Sequence, residues 1–167
     1  TILFKLALVP FHFWVSDVYS KSRPSFLIFL GVVPKIAFFS VAYLLIQSWF
    51  VAQLHFSFEM ALLMVLTLTV VWAHSAAFVS RHFGQLVGYS SIGQMALLGL
   101  LLLLPQVSDL YYQLGLYHLV AYALASSLLL GVALILKLCA SSPLESFRGL
   151  IYHRPFIGFL AIVAVLS

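Results

Sequence analysis

Of the 167 residues, 64% are hydrophobic and only 7% charged, and a mean hydropathy of +1.16 lies well beyond that of a water-soluble domain. The formal charge of +4 does not make a nucleic-acid surface, because the bases stand singly between apolar runs instead of forming a patch. The lone Cys139 excludes an internal disulfide and a multi-cysteine metal site.

A transmembrane helix takes about 20 apolar residues, which leaves room for little besides spans. Polar and turn residues divide the chain into apolar runs at Thr1–Tyr19, Ser25–Phe50, Phe56–Phe78, Phe83–Leu104 and Leu110–Leu138, with a partial run at Phe156–Leu166. Stretches such as Met60–Val71 and Leu97–Leu104 are continuously apolar, which argues against the period-two alternation of barrel strands. The predicted fold is all-α: a single polytopic transmembrane helix bundle over residues 1–167. The first run has no basic leader and no small-residue cleavage motif, so no cleavable targeting segment is read there.

That first run holds Lys5, Pro10, His12 and Asp17. Lysine at membrane depth usually faces a bundle interior or a water path; the alternative for Lys5 is a lysine at a helix end. Pro10 lacks a backbone donor and predicts a break, and irregular backbone at membrane depth is tolerated where it lines protein or water. His12 is the best histidine candidate for a proton relay, since imidazole titrates near neutrality. Asp17 shares its segment with Lys21 and Arg23 and reads as a loop-side anchor.

In the second run Pro34 directly precedes Lys35, and Lys35 lies about 15 Å along the helix, near the bilayer midplane. A charge there costs about 2.5–3.5 kcal/mol by insertion scales, so it needs either a function or a route for snorkelling to the interface. Two lysines about 8 Å apart would repel by roughly 2 kcal/mol at an effective dielectric near 20, enough for one proton to displace another. Pro34 predicts a kink, functional or simply structural.

The third run opens with Glu59, suited to the positive end of a helix dipole, and contains His74. The fourth begins with Gly84 and Gly88, a small-xxx-small pair that predicts close helix packing, followed by Tyr89, Ser90, Ser91 and Gln94. These polar groups either support water or bind neighbouring helices. In the fifth, Ala121, Ala125, Ser126 and Ser127 also predict close packing, and His118 joins His74 as a further relay candidate. Packing is the alternative for each histidine. Lys21 and Arg23, then Arg81, then Lys137, Arg148 and Arg154 follow alternate runs, whereas Val51–His55 and Pro105–Asp109 carry no Lys or Arg. All loop bases therefore fall on one face, the cytoplasmic or matrix side.

The segment FKLALVPFHFW from Phe4 to Trp14 with Asp17, Val18 and Tyr19, and VPKIA from Val33 to Ala37, resemble the antiporter-like proton-pumping subunits of respiratory complex I, most closely the subunit 2 or subunit N family. GYSSI from Gly88 to Ile92, FRGL from Phe147 to Leu150, and His153, Arg154 and Pro155 match in order and spacing. The resemblance implies a broken first helix carrying Lys5 and a next helix carrying Lys35, both relaying protons along a hydrated central axis, with His12 in the broken helix. Gln94 stands near where the family often has a histidine, and Gly84 and Gln85 replace a usual basic pair.

The implied function is a proton-translocating membrane-arm subunit of NADH:ubiquinone oxidoreductase, driven by electron transfer that occurs elsewhere. FMN, iron–sulfur clusters and ubiquinone then belong to the parent complex, with no cofactor or metal in this chain. Implied partners are other membrane-arm subunits and membrane lipids, with no nucleic acid. By the resemblance, the chain starts near the family's seventh helix and stops inside its twelfth, leaving out a glutamate and a lysine of the path. The expectation is a split subunit, with one or more separate chains supplying the remaining helices; a single longer polypeptide in intact-mass analysis would sink it. A split chain points to the mitochondrial inner membrane, with a bacterial plasma membrane or thylakoid as the alternative. A Na+/H+ antiporter subunit, a membrane-bound hydrogenase subunit and a purely structural membrane-arm fragment are the competing functions.

Overall fold

The computed structural model describes every residue except 1, 6, 52–55, 104–108, 137–140, 148 and 167. Residues 52–55 and 105–108, within the two segments read from the sequence as base-free loops, lie outside the described residues, as do Lys137, Cys139 and Arg148. Helices run at α1 Ile2–Lys5, α2 Phe13–Lys21, α3 Pro24–Val51, α4 Phe56–Val79, α5 Phe83–Leu102 and α6 Asp109–Ile135. A 3-10 turn at Leu144–Phe147 leads to α7 Leu150–His153 and α8 Pro155–Leu166. Among the described residues the extended pairing is a single isolated bridge between His82 and Pro143, so the fold is an all-α bundle. The segments Pro24–Leu45, Glu59–Val79, Phe83–Leu102 and Tyr112–Ile135 are long and apolar enough to cross a membrane.

The first apolar run is broken between α1 and α2. Ala7 takes a left-handed φ of 56°, and Pro10 lacks the donor that would carry a helix onward. The exposed backbone groups of this break find partners elsewhere, as the membrane interior demands. Trp14 Nε1 donates to the Phe4 carbonyl at 3.1 Å, across the break. The Val9 N–H donates to Thr69 Oγ1 of α4, also at 3.1 Å.

Pro34 behaves differently: α3 continues through it as one helix. The proline removes the N–H that would bond the Leu30 carbonyl, a loss confined to one rung of a 28-residue helix. Beside Pro10 the Val9 N–H is bonded to α4, whereas Pro34 has intact helical turns on both sides.

Helix α5 is the centre of the bundle. Half of its spanning segment is buried, against 17–28% for the other three, and it packs on α2, α3, α4 and α6. Its small residues permit this approach. A Cβ placed on Gly88 would lie 3.1 Å from Tyr19 Cβ, and one on Gly93 would lie 2.6 Å from Cε1 of His74. The predicted packing role of Gly88 is therefore met by α2. In α6, Ala121, Ala125 and Ser126 line a cavity together with Ser90 of α5 and Ala164 of α8.

At one end, the segment after α4 pairs with the segment after α6. The Leu144 N–H donates to the Arg81 carbonyl and the Phe83 N–H to the Ser142 carbonyl, both at 3.0 Å. His82 Nδ1 lies 3.1 Å from the Ser141 carbonyl, and the Phe83 and Phe147 rings meet in a tilted contact with centroids 5.0 Å apart. Arg81 and the 141–147 segment are thereby held together at the same end.

Candidate functional site

Lys35 projects from α3 into the interior and is only 9% exposed. Its Nζ donates to Tyr122 Oη of α6 at 2.8 Å and to Ser91 Oγ of α5. The ammonium also sits 4.2 Å from the centroid of the Tyr122 ring, a cation–π contact that strengthens when water is excluded. A buried amine thus has two oxygen acceptors and an aromatic face, which is how a polar group survives at this depth. Within the bundle Lys35 is therefore an interior side chain.

Lys5, at the end of α1, is exposed and lies 4.9 Å from the centroid of Phe38 of α3. Both lysines line one cavity of about 400 Å³, whose wall also contains Tyr19, Leu30, Pro34 and Ser91. The break after α1 and the N–H missing at Pro34 therefore open onto the same space as the two amines. Tyr19 is held there by the α2–α5 contact, with Gly88 against its ring. This volume is ample for several water molecules at about 30 Å³ each.

The histidines separate. His118 Nε2 of α6 lies 2.7 Å from Gln94 Oε1 of α5, and both line a second cavity of about 210 Å³ with Ser90, Tyr122 and Ser126. His12 lies apart from both cavities, buried with its ring 3.8 Å from Trp72 and 4.6 Å from Phe13. Among the described residues its Nδ1 has no hydrogen-bond partner. His74 spends its Nδ1 on the Val70 carbonyl of its own helix at 2.8 Å and packs on Gly93. Among the described residues no three His, Cys, Asp or Glu side chains converge as a metal site.

Tyr122 and Tyr19 were missed from the sequence, where they are two of eight tyrosines in an apolar chain. Tyr122 does stand four residues from each of His118 and Ser126, the spacing that places polar groups on one helical face. That alignment is the signal that was available.

Ser91→Ala removes one of the two acceptors of Lys35 while Tyr122 remains. The expected result is a loss of about 1 kcal/mol of stability, seen as a small drop in the thermal midpoint, with partial retention of activity.

A family model described as NADH:quinone oxidoreductase/Mrp antiporter, TM, matches residues 1–167. Subunit N of the NADH-quinone oxidoreductase of Campylobacter lari is 31% identical over 168 residues, covering 97% of this chain and 36% of that protein. Its counterpart from Neisseria gonorrhoeae is 26% identical over 170 residues, covering 99% of this chain and 34% of that protein. A chain in the structure of respiratory complex I from Thermus thermophilus with bound aureothin superposes with a TM-score of 0.69 at 31% identity, over 99% of this chain and 35% of that one. The chain thus spans about a third of the length of these relatives.

Proposed function

Because the chain belongs to the NADH:quinone oxidoreductase/Mrp antiporter transmembrane family, we propose that it is a proton-translocating part of the membrane arm of an NADH:quinone oxidoreductase. The observation that carries the proposal is the shared cavity: Lys35, buried and bonded to Ser91 and Tyr122, opens onto the same space as Lys5. A proton arriving at one amine raises the cost of holding one on the other, by an amount set by their separation and the local dielectric. Conformational or electrostatic change produced by electron transfer elsewhere would then drive protons past the pair. Lys5 and Lys35 are the relay groups of this reading, with His12, His118 and His74 as secondary candidates. His118 has the strongest support of the three, since it lines the second cavity beside Gln94.

In this reading the chain supplies electrostatics and a wetted path, without redox chemistry of its own. FMN, iron–sulfur clusters and ubiquinone reside in the parent complex, and the partners are other membrane-arm subunits and lipid. The location is a membrane, and the mitochondrial inner membrane is our proposal within that class. The alternative is a bacterial plasma membrane, which the bacterial origin of the named relatives fits, and fractionation of the source cells separates the two.

The family description also covers Mrp antiporters, so a sodium/proton antiporter subunit is the second reading. The test is purification of the native assembly containing this chain. NADH oxidation with flavin and iron–sulfur signals, coupled to acidification across reconstituted vesicles, is the expected result. Sodium-dependent proton exchange without NADH oxidation would overturn the first reading in favour of the second.

A further inference from the structure

The two cavities adjoin where Lys35 and Ser91 meet Tyr122. Lys35 and Ser91 line the cavity that also holds Lys5. Tyr122 lines the other, with Gln94, His118 and Ser126. The 2.8 Å bond from Lys35 Nζ to Tyr122 Oη therefore crosses the wall between them. On the far side, His118 Nε2 is 2.7 Å from Gln94 Oε1. An amide oxygen only accepts, so Nε2 carries the hydrogen and Nδ1 is left as the accepting nitrogen of the ring.

Taking the relay reading above as its basis, we infer that the Tyr122 hydroxyl is the passage between the two cavities, holding the Lys35 amine at the wall and handing its proton to the His118 side. A phenol suits this place because it accepts and donates through one oxygen. In the step, the Lys35 ammonium gives a proton to the phenolic oxygen as the hydroxyl releases its own proton into the second cavity. Water carries that proton to the His118 imidazole. Tyr122 is neutral before and after, Lys35 ends as the amine and His118 as the imidazolium, and no electron moves. Phenylalanine would preserve the ring under the ammonium while removing this conduction and the hydrogen bond from Lys35.

The experiment measures protons translocated per NADH oxidised by the assembled complex in vesicles, for Tyr122→Phe, Tyr122→Leu and His118→Gln. Tyr122→Phe is expected to assemble and to translocate several-fold fewer protons per NADH oxidised, with Tyr122→Leu no worse in pumping. His118→Gln should lose pumping to a similar extent, and the double variant Tyr122→Phe with His118→Gln should be no worse than either single, since both block one path. Full pumping in Tyr122→Phe, or a loss seen only when the ring is removed in Tyr122→Leu, overturns the inference and leaves the tyrosine as packing. Additive losses in the double variant overturn it too, because they mean separate routes. Lys35→Met tells the two levels apart. If it pumps normally the relay reading itself fails, whereas loss in Lys35→Met beside normal pumping in Tyr122→Phe removes Tyr122 alone.

Discussion

Lys35→Met is expected to abolish coupled proton translocation while the complex assembles and oxidises NADH. Methionine has nearly the length and volume of the lysine stem, so the packing against the Tyr122 ring persists. Removing a buried amine relieves a burial cost of about 2.5–3.5 kcal/mol. Against that, Ser91 Oγ and Tyr122 Oη lose their shared donor, at about 1–3 kcal/mol for polar groups left unsatisfied. The two terms nearly cancel, so stability should change little. The pumping deficit should be large, since a positioned proton-transfer group contributes roughly a hundredfold or more to its step.

Lys35→Arg separates charge from proton transfer. Arginine keeps the positive charge but does not give up its proton in proteins. Pumping should fail in this variant as in Lys35→Met. Retained pumping with arginine would mean that Lys35 acts as a fixed charge. The measurement in both cases is acidification of vesicles during NADH oxidation, beside the thermal midpoint of the purified assembly.

The sequence made Lys35 conspicuous because a charge ten residues into an apolar run is costly wherever it points. It left Tyr122 unmarked, because a tyrosine in a span is equally at home in packing, at an interface or in a site. Hydropathy finds spans but does not orient them: in a helix apolar all round, no stripe distinguishes the interior face. That is why the partners of Lys35 appear only once α5 and α6 are placed beside α3. The histidines show the same limit. His74 and His118 read alike in the sequence, yet one bonds its own helix at Val70 and the other reaches Gln94 on a neighbour. The prolines were legible in part: the break expected at Pro10 is present, whereas α3 runs on through Pro34.

Gly88→Leu is expected to disable the site from a distance, with a different signature. Gly88 faces Tyr19 so closely that even a Cβ would meet Tyr19 Cβ at 3.1 Å and Cγ at 3.3 Å, with Val15 Cγ1 at 3.6 Å. The first two atoms sit next to the α2 backbone and cannot swing aside, so an isobutyl group must push α2 away from α5. Such overpacking costs about 1–3 kcal/mol. Val15 and Tyr19 both line the cavity of the two lysines, so the same displacement reshapes that space. Pumping and thermal stability should therefore fall together, unlike in Lys35→Met, where pumping falls alone. Gly88→Ala is the graded control: its single methyl needs only a few tenths of an ångström, and alanine regains up to about 1 kcal/mol of helix propensity over glycine. It should stay within about 1 kcal/mol of the parent and keep most of its pumping. A Gly88→Leu complex with unchanged melting would show that α2 and α5 do not meet here, and would remove the packing basis for the position of Tyr19 in the cavity.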